Sequence, residues 1–264
     1  MNAPSAADVK LPPFDLLAED AGSQGCLGHI PALPGLCFRA ETVADAEGLA
    51  PVRICEYADW LVENGLGDLT PEVGQLTSRG RAAASLRIVI AEHVAGAPVW
   101  KSGNPAVLFQ HDLRPLDNDG VIAHLHFTRR ALDEMREIVE RLPDEKRAWK
   151  PDPACRSVDE TLEHIGNCIW WYCSRIDDTL PEPDDLPDED PLDRMDRLFA
   201  AAKAYLLGVP LAERTRIHVP TRFPTSDPQE RWTHTKVCRR QAEHVWAHLP
   251  GLKTAVQTVA GPDA

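Results

Sequence analysis

Residues 147–167 read RAWKPDPACRSVDETLEHIGN, and residues 231–252 read RWTHTKVCRRQAEHVWAHLPGL. In the first stretch, Ser157 and Glu160 form a capping box: the serine oxygen accepts from a first-turn N–H and the glutamate reaches back to the cap. The helix it opens is expected to run to about Ile176. His164 stands two turns inside, among Leu162, Ile165 and Ile169, where an apolar face is expected. In the second stretch, a helix beginning near Trp232–Thr235 and stopping at Pro250–Gly251 carries His244 and His248, four residues apart on one face. That spacing fits a single metal ion, and it equally fits a pair of surface or core histidines. A lone histidine on an apolar face is commonly a packed core residue. Three imidazoles from two facing helices, however, complete a metal site that leaves positions open for water or substrate. Neutral imidazoles suit Zn, Ni, Fe or Mn without choosing among them.

The neighbouring sequence is helical too. Arg129–Leu142 places Leu132, Met135, Val139 and Leu142 on one face, and Asp190 with Pro191 caps a helix that ends at Gly208. Between the histidine helices lies Asp177–Asp196, with 10 acidic residues, one Arg and four prolines, which forbid a continuous helix and give a solvated loop. Four helices with one long crossover make a bundle.

The first half reads differently. Phe14–Glu19, Gly25–Ile30 and Leu36–Ala40 are strand-sized segments cut by Gly and Pro turns. Thr42 caps a helix through Val43–Leu49 that Pro51 interrupts, and Ile54–Leu61 resumes it. Ile88–Val94 and Val107–Gln110 read as further strands. With LDNDG at 116–120 breaking the pattern, the expected organisation is a small α+β domain at 12–118, followed by an all-α four-helix bundle at 121–256.

Composition narrows the function. The chain has 264 residues with 41 acidic and 28 basic groups, a net charge of −13. This argues against a general nucleic-acid binder, which needs Lys and Arg to displace phosphate counterions. The excess is local: outside the acidic loop, residues 121–264 hold 19 basic and 15 acidic groups. No apolar run approaches the roughly 18 residues a membrane helix requires, and the first residues lack the pattern of a secretory signal. Seven cysteines without a Cys-x-x-Cys pair fit a reducing cytoplasm better than a disulfide framework.

The quoted stretches, with the Trp149–Pro151 lead-in, the capped helix with its His and the terminal His-x-x-x-His in that order, resemble the DinB-like superfamily over about residues 123–253. The resemblance implies a four-helix bundle in which His164, His244 and His248 are the ligands of a divalent metal. Members of that superfamily include bacillithiol-using thiol transferases, a mycothiol-dependent isomerase and the metal-binding bundle of ergothioneine-forming sulfoxide synthases. What it implies here is a metal-dependent enzyme that transfers or activates a small thiol, or an isomerase or hydrolase of related chemistry. The rival reading is a non-catalytic metal-binding or stress-response protein. The expected partners are a small-molecule substrate, such as a low-molecular-weight thiol, and a second copy of the chain.

Among the neighbours, Arg240 lies one turn before His244 and suits an anionic substrate. Cys168, four residues after His164, is either a substrate-binding or fourth soft ligand, or a small packing residue. Glu243 is either an orienting base or a surface residue. Trp170, Trp171 and Tyr172 form an aromatic band. His29, His93, His111, His124 and His126 read as structural or surface residues. Gly25–Ala46 resembles a HicB-type antitoxin domain, with Pro34–Gly35, Thr42 and Ala46 in matching places. That resemblance implies a domain that binds a protein partner or covers the substrate.

Overall fold

Turns cut residues 14–40 into three strands, β1 (Phe14–Asp20), β2 (Cys26–His29) and β3 (Cys37–Ala40). The computed structural model describes residues 13–69, 73, 76, 86–96, 104–150, 152–222 and 229–260. Gly25 enters β2 at a φ of +103°, and a Cβ there would sit 3.0 Å from the Ala40 carbonyl oxygen. Only glycine fits that turn without strain. A fourth strand, β4 (Ile88–Ala95), completes a sheet of order β3-β2-β1-β4. The β1–β2 and β2–β3 pairs are antiparallel, and β4 runs parallel to β1 with a register shift between Leu16 and Leu17.

Helix α1 (Val43–Glu63) covers this sheet, burying Ala46, Ala50, Ile54, Tyr57, Ala58 and Leu61. Thr42 caps it, its hydroxyl accepting from the Asp45 N–H at 3.1 Å. The interruption expected at Pro51 does not occur, and the helix runs through it. Proline removes the hydrogen bond to the carbonyl of Glu47, and Glu47 is exposed, so water replaces the lost donor. Val107–Gln110 is not a strand. Val107 and Phe109 are buried in a small cluster with Leu17, so their apolar character reflects packing rather than pairing.

The chain divides into two compact units, Met1–Phe109 and Gln110–Ala264. Within the second, helix α2 (Asn118–Val139) begins eleven residues earlier than expected, and the LDNDG segment, read as a break, is its start. Asp117 is the cap, accepting from the Gly120 N–H at 2.8 Å. After a short α3 (Asp144–Ala148) come α4 (Val158–Ser174), α5 (Pro191–Gly208) and α6 (His234–Ala260). The capping box of α4 is complete: Ser157 Oγ accepts from Glu160 N–H at 3.1 Å, and Glu160 Oε2 accepts from Ser157 N–H at 3.0 Å.

Four long helices pack on one another: α2 against α5 and α6, and α4 against α5 and α6. Their buried stripes include Leu132 and Met135, Leu162 and Ile165, Met195 and Phe199, and Val237 and Val245. Gly166 lets α4 approach α5 closely, since a Cβ there would lie 3.3 Å from the Met195 Cα. Helix α6 does not stop at Pro250–Gly251 but continues to Ala260. Pro250 and Gly251 are both exposed, so the ring lies on the outer side of the helix, which gives up only the hydrogen bond to the Trp246 carbonyl. Of the acidic segment, residues 177–190 form the loop joining α4 to α5, where Asp178 accepts from the Thr221 hydroxyl at 2.6 Å, whereas residues 191–196, expected in the loop, are the first turns of α5. No described helix is long and apolar enough to cross a membrane.

Candidate metal centre

Helix α4 presents His164, Cys168 and Tyr172 at intervals of four residues on one stripe, and α6 presents His244 and His248 on the face packed against it. The three imidazoles converge. The His164 ring centroid lies 5.2 Å from that of His244 and 5.1 Å from that of His248, and the last two are 4.5 Å apart. One donor nitrogen from each falls within 4.8 Å of the other two. His244 is 7% exposed, whereas His164 and His248 are half-buried, so the cluster opens on their side.

All three rings are held below the usual histidine range. Burial lowers His164 to about 4, with the charge of Arg156 next and His248 after it. Burial also pushes His244 well down, helped by the other two imidazoles and by Arg240 and Arg156. His248 is lowered by burial and then by Arg156. The rings are therefore neutral near pH 7, with lone pairs available. His244 Nε2 is buried and has no hydrogen-bond partner among the described residues. Leaving such an atom unsatisfied costs on the order of 1–3 kcal/mol. A divalent cation shared by three neutral imidazoles satisfies it, so these residues fit the metal.

The remaining expected residues divide. Cys168 stands beside the cluster, its sulfur 3.6 Å from His164 Nδ1. Burial pushes its thiol up to about 11, against the opposing pull of Arg156, so the thiol stays protonated at neutral pH. Arg240 is 6% exposed, with Nη1 donating to Glu243 Oε2 at 3.4 Å and a further hydrogen bond to the Tyr172 hydroxyl. Glu243, whose alternatives included a surface position, is only 4% exposed. It accepts from Arg239 Nη1 at 3.0 and 3.1 Å. Arg239 in turn forks onto Asp112 at 2.8 and 2.9 Å. A buried chain of alternating charges thus runs along α6 beside the imidazoles.

Aromatic rings wall the inner side. Tyr172 meets His244 edge-on at 5.7 Å and Trp232 at 5.8 Å, and Trp171 lies against both Tyr172 and Trp232. Trp170 points elsewhere, its indole N–H donating to the Pro181 carbonyl at 2.9 Å. His124 is a structural residue, as expected, with Nδ1 2.8 Å from the Gly120 carbonyl. His29 and His93 pair with Glu19 and Asp20. Pro151, part of the Trp149–Pro151 lead-in, lies outside the described residues.

Sequence reasoning missed Arg156. It is exposed, immediately precedes the Ser157 cap, and makes no hydrogen bond or ion pair among the described residues. The available signal was a cation next to the cap of the helix that carries His164.

In comparison with known proteins, a family model described as the DinB superfamily matches residues 128–250. No curated protein and no solved structure matches the chain.

Proposed function

Because the C-terminal half of this chain belongs to the DinB superfamily, we propose that it is a metal-dependent domain in which His164, His244 and His248 hold one divalent ion. In this reading the four packed helices are the superfamily's four-helix bundle, and the reaction is the transfer or activation of a small thiol. The observation that carries it is the buried His244 Nε2 without a partner, facing two further neutral imidazoles. When bound, the ion supplies Lewis acidity, lowering the pKa of a thiol or water that reaches it.

The chain's own residues define the rest. The three imidazoles bind and orient, with His244 fixed on the buried side. Tyr172 and its tryptophan neighbours keep water from the inner face of the cluster. The cluster is less buried beside His164 and His248, and in this reading a small molecule approaches from there. The Cys168 thiol, protonated and set beside His164, borders that approach and is not needed as a ligand.

The test is elemental analysis of the purified full-length protein, with His164→Ala and His248→Ala alongside. The expected result is one equivalent of a divalent metal in the wild type and a loss of most of it in both variants. A wild type that carries no more metal than the variants refutes the reading. If metal is bound, turnover of electrophiles with a panel of low-molecular-weight thiols tests the thiol assignment.

A further inference from the structure

We propose that a second cavity of the helical unit, apart from the histidine cluster, binds a small zwitterion of the amino-acid kind, with Asp177 and Glu213 taking its ammonium and Arg216 its carboxylate.

The cavity lies where α4 and α5 end. Ile176 and Asp177 just beyond α4, Tyr205 near the end of α5, and the segment that follows α5 enclose about 470 Å3. That volume is in the range of small-ligand sites. His234, at the start of α6, lines the cavity and is only 1% exposed, so it forms the inner end. Its Nε2 is 3.0 Å from the Leu206 carbonyl oxygen, which fixes the ring. About ten residues of α6, roughly 15 Å, separate His234 from His244, and none of the three clustered imidazoles lines this cavity.

The lining is apolar inside and charged outside. Ile176 is buried, and Tyr205 and Val209 are half-buried. Burial and then the Asp177 charge raise the Tyr205 phenol, so its hydroxyl keeps its proton and can donate. Asp177 commits one carboxylate oxygen: Oδ1 accepts from the Thr179 N–H at 2.8 Å and from the Thr179 hydroxyl at 2.6 Å. Its Oδ2 makes no hydrogen bond among the described residues. Glu213 and Arg216 stand exposed at the rim. Neither side chain has a hydrogen bond or ion pair among the described residues, not even with the other, although they are three positions apart.

One cavity thus offers negative and positive groups that do not neutralise each other. A simple anion would face two carboxylates, and a simple cation would face Arg216. A molecule carrying both charges answers all three. The C-terminal ends of α4 and α5 border the cavity, and their negative partial charge favours the ammonium. The guanidinium offers paired donors to the carboxylate. His218 is lowered by burial and then by Arg216, so it adds no charge at neutral pH. A metal ion does not fit, because Asp177, Glu213 and His218 do not converge as ligands of one ion among the described residues.

The test is calorimetric titration of the full-length protein with phenylalanine, 2-phenylethylamine and 3-phenylpropanoate, which share a ring and differ in charge. For phenylalanine, with about twelve non-hydrogen atoms, a dissociation constant of about 2 mM or tighter is expected. Both analogues should bind more weakly. Arg216→Gln should weaken phenylalanine by about fivefold, the size of one exposed ion pair, and leave 2-phenylethylamine unchanged or tighter. Glu213→Gln should weaken phenylalanine and 2-phenylethylamine alike and spare 3-phenylpropanoate. Ala204→Phe fills the cavity from an exposed position on α5 and should remove phenylalanine binding, with the wild-type melting curve retained in circular dichroism.

No heat from phenylalanine up to about 10 mM overturns the proposal. So does an affinity for either analogue equal to that for phenylalanine, or unchanged phenylalanine binding in Arg216→Gln or Ala204→Phe. These readouts do not involve the metal, so a failure of the metal reading leaves the proposal standing, and the reverse holds too.

Discussion

Replacing Arg239 by Met should destabilise the protein more than any single change on the surface of α6. Arg239 is 2% exposed and sits between two buried carboxylates, Asp112 at 0% and Glu243 at 4%. It holds Asp112 through two hydrogen bonds of 2.8 and 2.9 Å and Glu243 through two of 3.0 and 3.1 Å. Methionine conserves much of the volume but leaves two buried carboxylates with one guanidinium, that of Arg240, where there were two, and removing one partner of a buried pair costs about 3–5 kcal/mol. The unit spans Gln110–Ala264. For a unit of that size each kcal/mol shifts the melting temperature by roughly 2–4 °C, so a fall of about 6–20 °C is expected. The assay is thermal unfolding followed by circular dichroism at a helical wavelength, with urea unfolding as the isothermal check. The double variant Asp112→Asn, Arg239→Met removes one charge of each sign, leaves the Arg240–Glu243 pair in place and should lose less than the single change. A melting temperature within about 2 °C of the wild type for Arg239→Met would refute the reasoning.

Three further changes test other parts of the fold. Ser157→Ala removes one half of the capping box of α4 and should cost about 1 kcal/mol in urea unfolding; an unchanged midpoint would contradict the cap. Gly166→Val places atoms against the Met195 backbone and should cost about 1–3 kcal/mol, with no loss expected if α4 and α5 are less tightly packed. Acid should destabilise the unit through His124 and His234, both held at about 4 by burial. Their unfolded forms take up a proton near pH 6.5, so their contribution is complete above that pH. It is lost as the pH falls towards 4, by up to about 3 kcal/mol each. His124→Gln should therefore flatten the fall in urea midpoint between pH 7 and pH 4.5, and an identical slope in the variant would contradict this.

Much of the fold could be read from turn and cap chemistry, because those signals are local. Thr42, Ser157 and Asp190 cap helices as their neighbours suggested, and the glycine and proline turns delimit β1 to β3. The prolines inside helices were misread for a tertiary reason. Whether Pro51 or Pro250 ends a helix depends on the packing around it, which its local sequence does not show. Val107–Gln110 was misread because apolar residues buried in a loop look like a short strand.

Helical spacing put His244 and His248 on one face, but that His164 joins them came from the resemblance to the DinB-like superfamily, and the structure brings the three rings together. The fate of Glu243 was not legible, because its placement depends on Arg239 and on Asp112, 127 positions before Arg239. Nor was that of Arg240, whose guanidinium is engaged by Glu243 and Tyr172.

The most direct test of the metal centre is X-ray absorption at the zinc edge of the full-length protein loaded with one equivalent of Zn(II). Three imidazole nitrogens bound at about 2.0–2.1 Å, with no sulfur near 2.3 Å, are predicted, and the signal should be lost in His244→Ala. A sulfur scatterer, fewer than three imidazoles, or an unchanged spectrum in His244→Ala would contradict the account.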